Sequence, residues 1–191
     1  CNYSIGENLM AAYLFDRFYK TYTRSKHREE AAYMIAFCYY LQAPIYSLDS
    51  KNTNKAIDQL QIFINQYPTS ERVEKCNSLI DELRSKLSEK AFHIAKQYYT
   101  TEYYKSSIIS LSNVLINFPD IEKREEIKFL ILDSSYLLAI NSISKKKKER
   151  LEEVLELYEI FIDNYNESTF QEDAQDIYQK TNKLLKQLKE I

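Results

Sequence analysis

Ala56-Ile57-Asp58-Gln59-Leu60-Gln61-Ile62-Phe63-Ile64-Asn65-Gln66-Tyr67-Pro68-Thr69-Ser70 is the stretch on which the fold turns. Ala56, Leu60 and Phe63 stand at i, i+4 and i+7, and Tyr67 at i+11, so one stripe of a helix is apolar and closes on an aromatic residue. Pro68 follows where the helix has already ended, so its missing N–H costs nothing. The same frame occurs three more times: Ala11, Phe15, Phe18 and Tyr22; Ser107, Leu111, Val114 and Phe118; Val154, Tyr158, Phe161 and Tyr165. The first positions are separated by 45, 51 and 47 residues (11 to 56 to 107 to 154). An internal repeat with helical spacing predicts stacked helical hairpins.

A helix start is expected after each closing aromatic. Ser25, Ser70, Asp120 and Ser168 read as N-caps, because a short oxygen side chain can accept from the free N–H groups of a first turn. Acidic residues follow at Glu29-Glu30, Glu71, Glu125-Glu126 and Glu172-Asp173, where they complement the helix dipole. After Gly6 closes a short remnant helix, helices are expected at 8–22, 26–42, 53–67, 70–99, 103–117, 122–143, 147–165 and 169–190. Segment 70–99 reads as one long helix, because Val73, Cys76, Ile80, Leu83, Leu87, Phe92, Ala95 and Tyr98 hold one seam throughout.

Composition agrees. One Gly and three Pro in 191 residues are too few for a strand-rich domain, whose tight turns need them. A hydrophobic content of 45% is too high for a disordered chain. The 17 Tyr and nine Phe suit narrow helix seams in which a ring is buried and a hydroxyl stays near water. A net charge of -2 with interspersed signs leaves no basic stripe for nucleic acid. The run Lys145–Lys148 reads as a solvated corner between helices, against a phosphate or anionic-lipid patch as the alternative. Cys1, Cys38 and Cys76 form neither a disulfide framework nor a zinc motif. Cys38 and Cys76 lie on apolar faces and are expected to be buried.

Nothing points to catalysis. His27 and His93 are far apart and lack metal-ligand spacing, and one glycine cannot build a phosphate-cradling loop, so no metal, cofactor or catalytic residue is assigned. The longest expected corner, Leu41 to Thr53, carries apolar residues at Tyr46 and Leu48. Either it is a contact surface or it folds back on its own hairpin. The pairs Tyr39-Tyr40, Tyr98-Tyr99 and Tyr103-Tyr104 read mainly as packing, with a minority lining a groove that captures peptide. Tyr39, Tyr40, Tyr46, Leu48, Tyr103 and Tyr104 are therefore the candidate protein-binding residues.

The pattern resembles the tetratricopeptide superfamily, whose standard period is about 34 residues, here lengthened by longer first helices and the inserted corner. That resemblance implies an all-α superhelix of helical hairpins, an α-α solenoid with a concave surface. The domain organisation expected is one repeat domain over 1–191, with sub-units at 1–25, 26–69, 70–120, 121–167 and 168–191. Three blocks narrow the resemblance: Arg28 to Tyr40, Ala56 to Ser70, and Lys90 to Tyr99 followed by Tyr103-Tyr104 and Phe118-Pro119-Asp120. They are similar to the BamD (ComL) family of outer-membrane assembly lipoproteins. The resemblance implies a lipid anchor, a place on the periplasmic face of the outer membrane, and docking to the POTRA domains of BamA and to other assembly-complex subunits. It also implies capture of unfolded outer-membrane protein segments. Cys1 falls within the phase of a first repeat helix, so it is expected to be an internal repeat residue, with the lipid-bearing cysteine upstream; a mature N-terminus at Cys1 is the alternative. A different tetratricopeptide adaptor, periplasmic or cytosolic, is the alternative function.

Overall fold

The computed structural model describes residues 3, 6–43 and 50–189. Among them are eight α-helices and no strand: α1 (Asn8–Thr21), α2 (Arg28–Leu41), α3 (Lys51–Gln66), α4 (Val73–Thr100), α5 (Tyr104–Asn117), α6 (Arg124–Ile140), α7 (Ser144–Asn164) and α8 (Gln171–Lys189). The protein is an all-α array of helical hairpins. Tyr46 and Leu48, and also Cys1, lie outside the described residues. By internal contacts the chain divides into two compact units, Cys1–Lys90 and Ala91–Ile191.

The repeated stripe is the core. In α3, Ala56, Leu60 and Phe63 are buried against Ala32 and Ala36 of α2 and Cys76, Leu79, Ile80 and Leu83 of α4. In α5, Leu111 and Val114 pack with Phe92 and Ala95 of α4 and with Ile127, Leu130 and Ile131 of α6. In α7, Val154 and Phe161 pack with Leu132 and Ala139 of α6 and with Ala174 and Ile177 of α8. Each of these clusters joins three consecutive helices, because a single hairpin has no partner for its apolar face. Burying a Leu or Phe side chain contributes about 1.5–3 kcal/mol. Cys38 and Cys76 are fully buried free thiols, and burial raises the pKa of both.

The four corners after the stripe share one geometry. Tyr22, Tyr67, Phe118 and Tyr165 each leave the helix, while their N–H still donates to the carbonyl four residues back, on Phe18, Phe63, Val114 and Phe161. Their carbonyls then accept from the N–H three residues on, at Ser25, Ser70, Ile121 and Ser168. Here the structure corrects the expected caps. The hydroxyls of Ser25, Ser70 and Ser168 accept from the N–H of His27, Arg72 and Phe170, in a turn that precedes the helix. The second helices therefore begin two or three residues later than serine capping predicts, at Arg28, Val73 and Gln171. The residue in the serine slot of the third corner is Ile121, not Asp120, and it joins the core.

The lysine run is also corrected. Lys145–Lys148 lies inside the first turns of α7, not in a corner. Four cations there oppose the helix dipole, but Lys147 Nζ donates to the Ile140 carbonyl at the end of α6, 3.0 Å away. Arg150 hydrogen-bonds Ser142, whose hydroxyl donates to the Leu138 carbonyl at 2.5 Å. The basic start of α7 thus supplies donors to the free carbonyls of α6.

Polar ties join helices that are distant in sequence. Ser70 Oγ donates to Glu29 Oε1, and Ser168 Oγ to Glu125 Oε1, both at 2.5 Å. These pairs are equivalent in the repeat, so the same tie is used in each unit. Tyr99 Oη donates to Asp133 Oδ2 at 2.6 Å. Burial raises the pKa of Asp133, helped by the Asp173 carboxylate and opposed by the Tyr99 hydrogen bond. Burial and the Asp133 hydrogen bond together hold the Tyr99 hydroxyl well above the usual phenol range.

Two measurements test this account. Phe161→Ala is expected to cost about 3–5 kcal/mol in urea unfolding, whereas Ile116→Ala, at a side chain 74% exposed, should change stability by less than about 0.5 kcal/mol. Tyr99→Phe leaves the Asp133 carboxylate without its donor and should cost about 1–3 kcal/mol at neutral pH. The sign follows from the raised pKa. The folded state holds the Asp133 proton more tightly than the unfolded chain, so that contribution is complete below the unfolded carboxylate pKa and is lost as pH rises through the folded value. The hydroxyl favours the ionised form, so the Tyr99→Phe deficit should shrink on acidification. A deficit independent of pH between 4 and 8 contradicts the assignment.

Candidate functional site

The candidate surfaces are grooves over the second helices, walled by successive first helices. In the unit 1–90, α1 and α3 wall a groove of about 210 Å³ floored by Ala32 and Ile35 of α2. Tyr19, Lys20, Gln59, Ile62 and Phe63 line it. Its charged wall is neutralised within α1, since Lys20 Nζ lies 2.7 Å from Asp16 Oδ2. Tyr19 Oη donates to Gln66 Oε1 across the groove at 3.0 Å, and the Arg28 guanidinium covers the Tyr19 ring at 4.4 Å.

In the unit 91–191, α5 and α7 wall the equivalent groove, of about 360 Å³, floored by Arg124, Lys128 and Ile131 of α6. Leu115, Ile116, Leu157 and Ile160 line its sides.

A third cavity, of about 520 Å³, opens on the far side of the first hairpin. Ala11, Leu14, Phe15 and Phe18 of α1 face Ala31 and Met34 of α2 there, with His27 Nδ1 3.4 Å from Glu30 Oε2 at the rim. Phe15 and Phe18 hold the stripe positions that α3 buries as Leu60 and Phe63; in α1 they are only half-buried, and Leu14 beside them is 44% exposed, while Ala11 at the start of the stripe is buried. Leu9, Met10 and Tyr13 extend the apolar surface. Their equivalents in α3 are Asn54, Lys55 and Asp58, so within this unit the apolar character is particular to α1.

The tyrosines singled out from the sequence lie apart from these grooves. Tyr40 Oη donates to Glu82 Oε2 at 2.8 Å, and its ring stacks on Phe37 at 5.8 Å. Burial and that hydrogen bond raise the Tyr40 pKa, while the Lys86 and Tyr40 hydrogen bonds lower that of Glu82. Tyr39 packs between two core clusters under the ammonium of Lys55, which lies 4.4 Å from its ring centroid. Tyr103 is 66% exposed just before α5, and Tyr104 is the first residue of that helix. The pKa of Tyr104 is raised by desolvation and by Glu102 and Asp133. The structure thus places Tyr39 and Tyr40 in seams and Tyr103 and Tyr104 at a helix start.

The groove residues Leu115, Ile116, Lys128, Leu157 and Ile160 escaped the sequence reading. They lie beside the core stripe, not on it. Aligning the repeats at the closing aromatic finds them, because it pairs Ile62 with Ile160 and Ala32 with Lys128.

Among the described residues, no cluster of three or more His, Cys, Asp or Glu is placed to hold a metal ion. No described helix is long and apolar enough to cross a membrane. A family model, YfiO, described as outer membrane lipoprotein, matches residues 1–151, and the chain belongs to that family. No curated protein matches it.

Proposed function

We propose that this member of the YfiO outer membrane lipoprotein family is a non-catalytic scaffold subunit of the machinery that assembles β-barrel proteins in the outer membrane. The family match over residues 1–151 carries the reading. The open apolar surfaces of the hairpins support it, since concave surfaces on helical repeats suit the capture of peptide segments. The protein is held by a lipid anchor at the periplasmic face of the membrane. Residues 103–191 dock the POTRA domains of BamA and other assembly-complex subunits. Residues 7–70 hold unfolded segments of outer-membrane proteins. The side chains for this second task are those of the open cavity on the first hairpin, above all Leu14, Phe15, Phe18 and Met34.

The physical logic is that of a holdase surface. An unfolded barrel strand exposes alternate apolar side chains, and an apolar groove takes them without a chemical step. Leu14→Glu puts a charge into that cavity at an exposed position, so the fold should be unaffected. The variant is expected to bind an unfolded barrel precursor about tenfold more weakly by fluorescence anisotropy, with an unchanged melting temperature. It should still co-purify with BamA from detergent-solubilised membranes. Unchanged precursor binding sinks the client assignment; failure of the unaltered protein to co-purify with BamA sinks the docking assignment.

A further inference from the structure

The equivalent grooves of the two units share one base and differ in what stands over it. Phe63 and Phe161 occupy the same stripe position, Ile62 and Ile160 the same wall position, and Ile35 and Ile131 the same floor position. Four equivalent positions change: Tyr19, Lys20, Ala32 and Gln59 of the α1–α2–α3 groove are Leu115, Ile116, Lys128 and Leu157 in the α5–α6–α7 groove, which also keeps polar Ser112 and Arg124 in its lining. The second groove has therefore exchanged polar walls for apolar ones and gained a cation on its floor. Ile116 is 74% exposed and Ile160 49%, so those walls are open to an occupant.

Lys128 is the unusual element. It is half-buried, and among the described residues it has neither an ion pair nor a hydrogen bond. The nearby carboxylates of its own helix are engaged elsewhere: Glu125 accepts from Ser168, and Glu126 lies 2.6 Å from Lys96 Nζ. Arg124, the other cation of the floor, donates to the Pro119 carbonyl at 2.9 Å. Lys128 therefore offers an uncommitted cation beside the Leu and Ile side chains of the groove, to which an entering carboxylate is complementary.

We propose that the α5–α6–α7 groove binds a peptide segment of a partner protein that presents one Asp or Glu side chain between large apolar residues. The carboxylate meets Lys128 on the floor, and the flanking side chains lie against Ile116 and Leu115 on one wall and Ile160 and Leu157 on the other. The proposal holds whichever protein supplies the segment, so it stands or falls separately from the assembly role proposed above. Charge complementarity sets the selectivity, and the apolar walls supply the contact area.

The test uses two fluorescein-labelled nonapeptides that differ at one position, a central Glu or Gln flanked by Leu and Phe. The whole chain should bind the Glu peptide about tenfold more tightly than the Gln peptide at low salt, with the preference reduced at 0.5 M NaCl. Lys128→Met keeps an unbranched stem and removes the charge; it should abolish the preference and keep or raise the melting temperature. Ile116→Asp should weaken both peptides. Equal binding of the two peptides, no binding of either at millimolar concentration, or a preference that survives Lys128→Met would each overturn the proposal. So would a chain that binds phosphatidylglycerol vesicles through Lys128 and neither peptide.

Discussion

Each hairpin turns on an aromatic residue that is bonded in helical register on its amino side and in a turn on its carbonyl side. The N–H of Tyr67 reaches back to Phe63, while its carbonyl accepts from Ser70. One residue thus terminates the helix and starts the reversal. Its ring stays within 5.4 Å of the Phe63 ring that anchors the stripe. Tyr22 and Tyr165 repeat this arrangement with Phe18 and Phe161. Because the corner has a fixed length, the next helix begins in a fixed phase, and its apolar face is aimed at the stripe just completed. The ties from Ser70 to Glu29 and from Ser168 to Glu125 then pin the second and fourth corners to the second helix of the preceding hairpin. Such half-buried charge-assisted bonds are short and directional.

Residue size along the stripe follows from that geometry. The stripe begins with a small side chain in three of the four helices, Ala11, Ala56 and Ser107, each almost fully buried. It ends with a larger one, Phe63, Val114 or Phe161. Small residues let helix axes approach closely, and larger ones fill the wider spaces of the seam. Ser107 keeps a polar atom at the tight end, satisfied by the Ser134 hydroxyl at 3.1 Å. An unpaired hydroxyl there would be costly.

The stripe, the corners and the helix count were legible in the sequence because all three rest on spacing within about twelve residues. Helix starts were less legible. A serine two or three residues before a helix has the same composition whether it caps the helix or the turn before it; the hydrogen bond to His27 or Arg72 distinguishes the two. The lysine run was misread because its explanation lies outside the run, in the carbonyl of Ile140 at the end of α6. The tyrosine pairs were visible, but not their partners: Glu82 is 42 residues from Tyr40, and Asp133 is 34 from Tyr99. The grooves were the least legible part, since a wall built from two helices and a floor from a third has no signature in any single segment.

A repeat provides its own control for separating structural residues from functional ones. Positions that keep the same character in every repeat, such as the closing aromatic, are explained by packing alone. Positions that change character although the stripe and corners around them are kept need another cause. By that criterion Ile62 and Ile160 are uninformative, whereas Lys128 in place of Ala32 is informative, because the same floor is complete without a charge. Leu9, Met10, Tyr13 and Leu14 of α1 qualify for the same reason. Their counterparts in α3 are Asn54, Lys55, Asp58 and Gln59, and an α1 made for solvent on that face would carry similar residues. The two departures have opposite chemistry. One surface is apolar with a His27–Glu30 pair at its rim; the other sets a cation among apolar walls. Two different occupants follow more directly from that contrast than one occupant shared between the units.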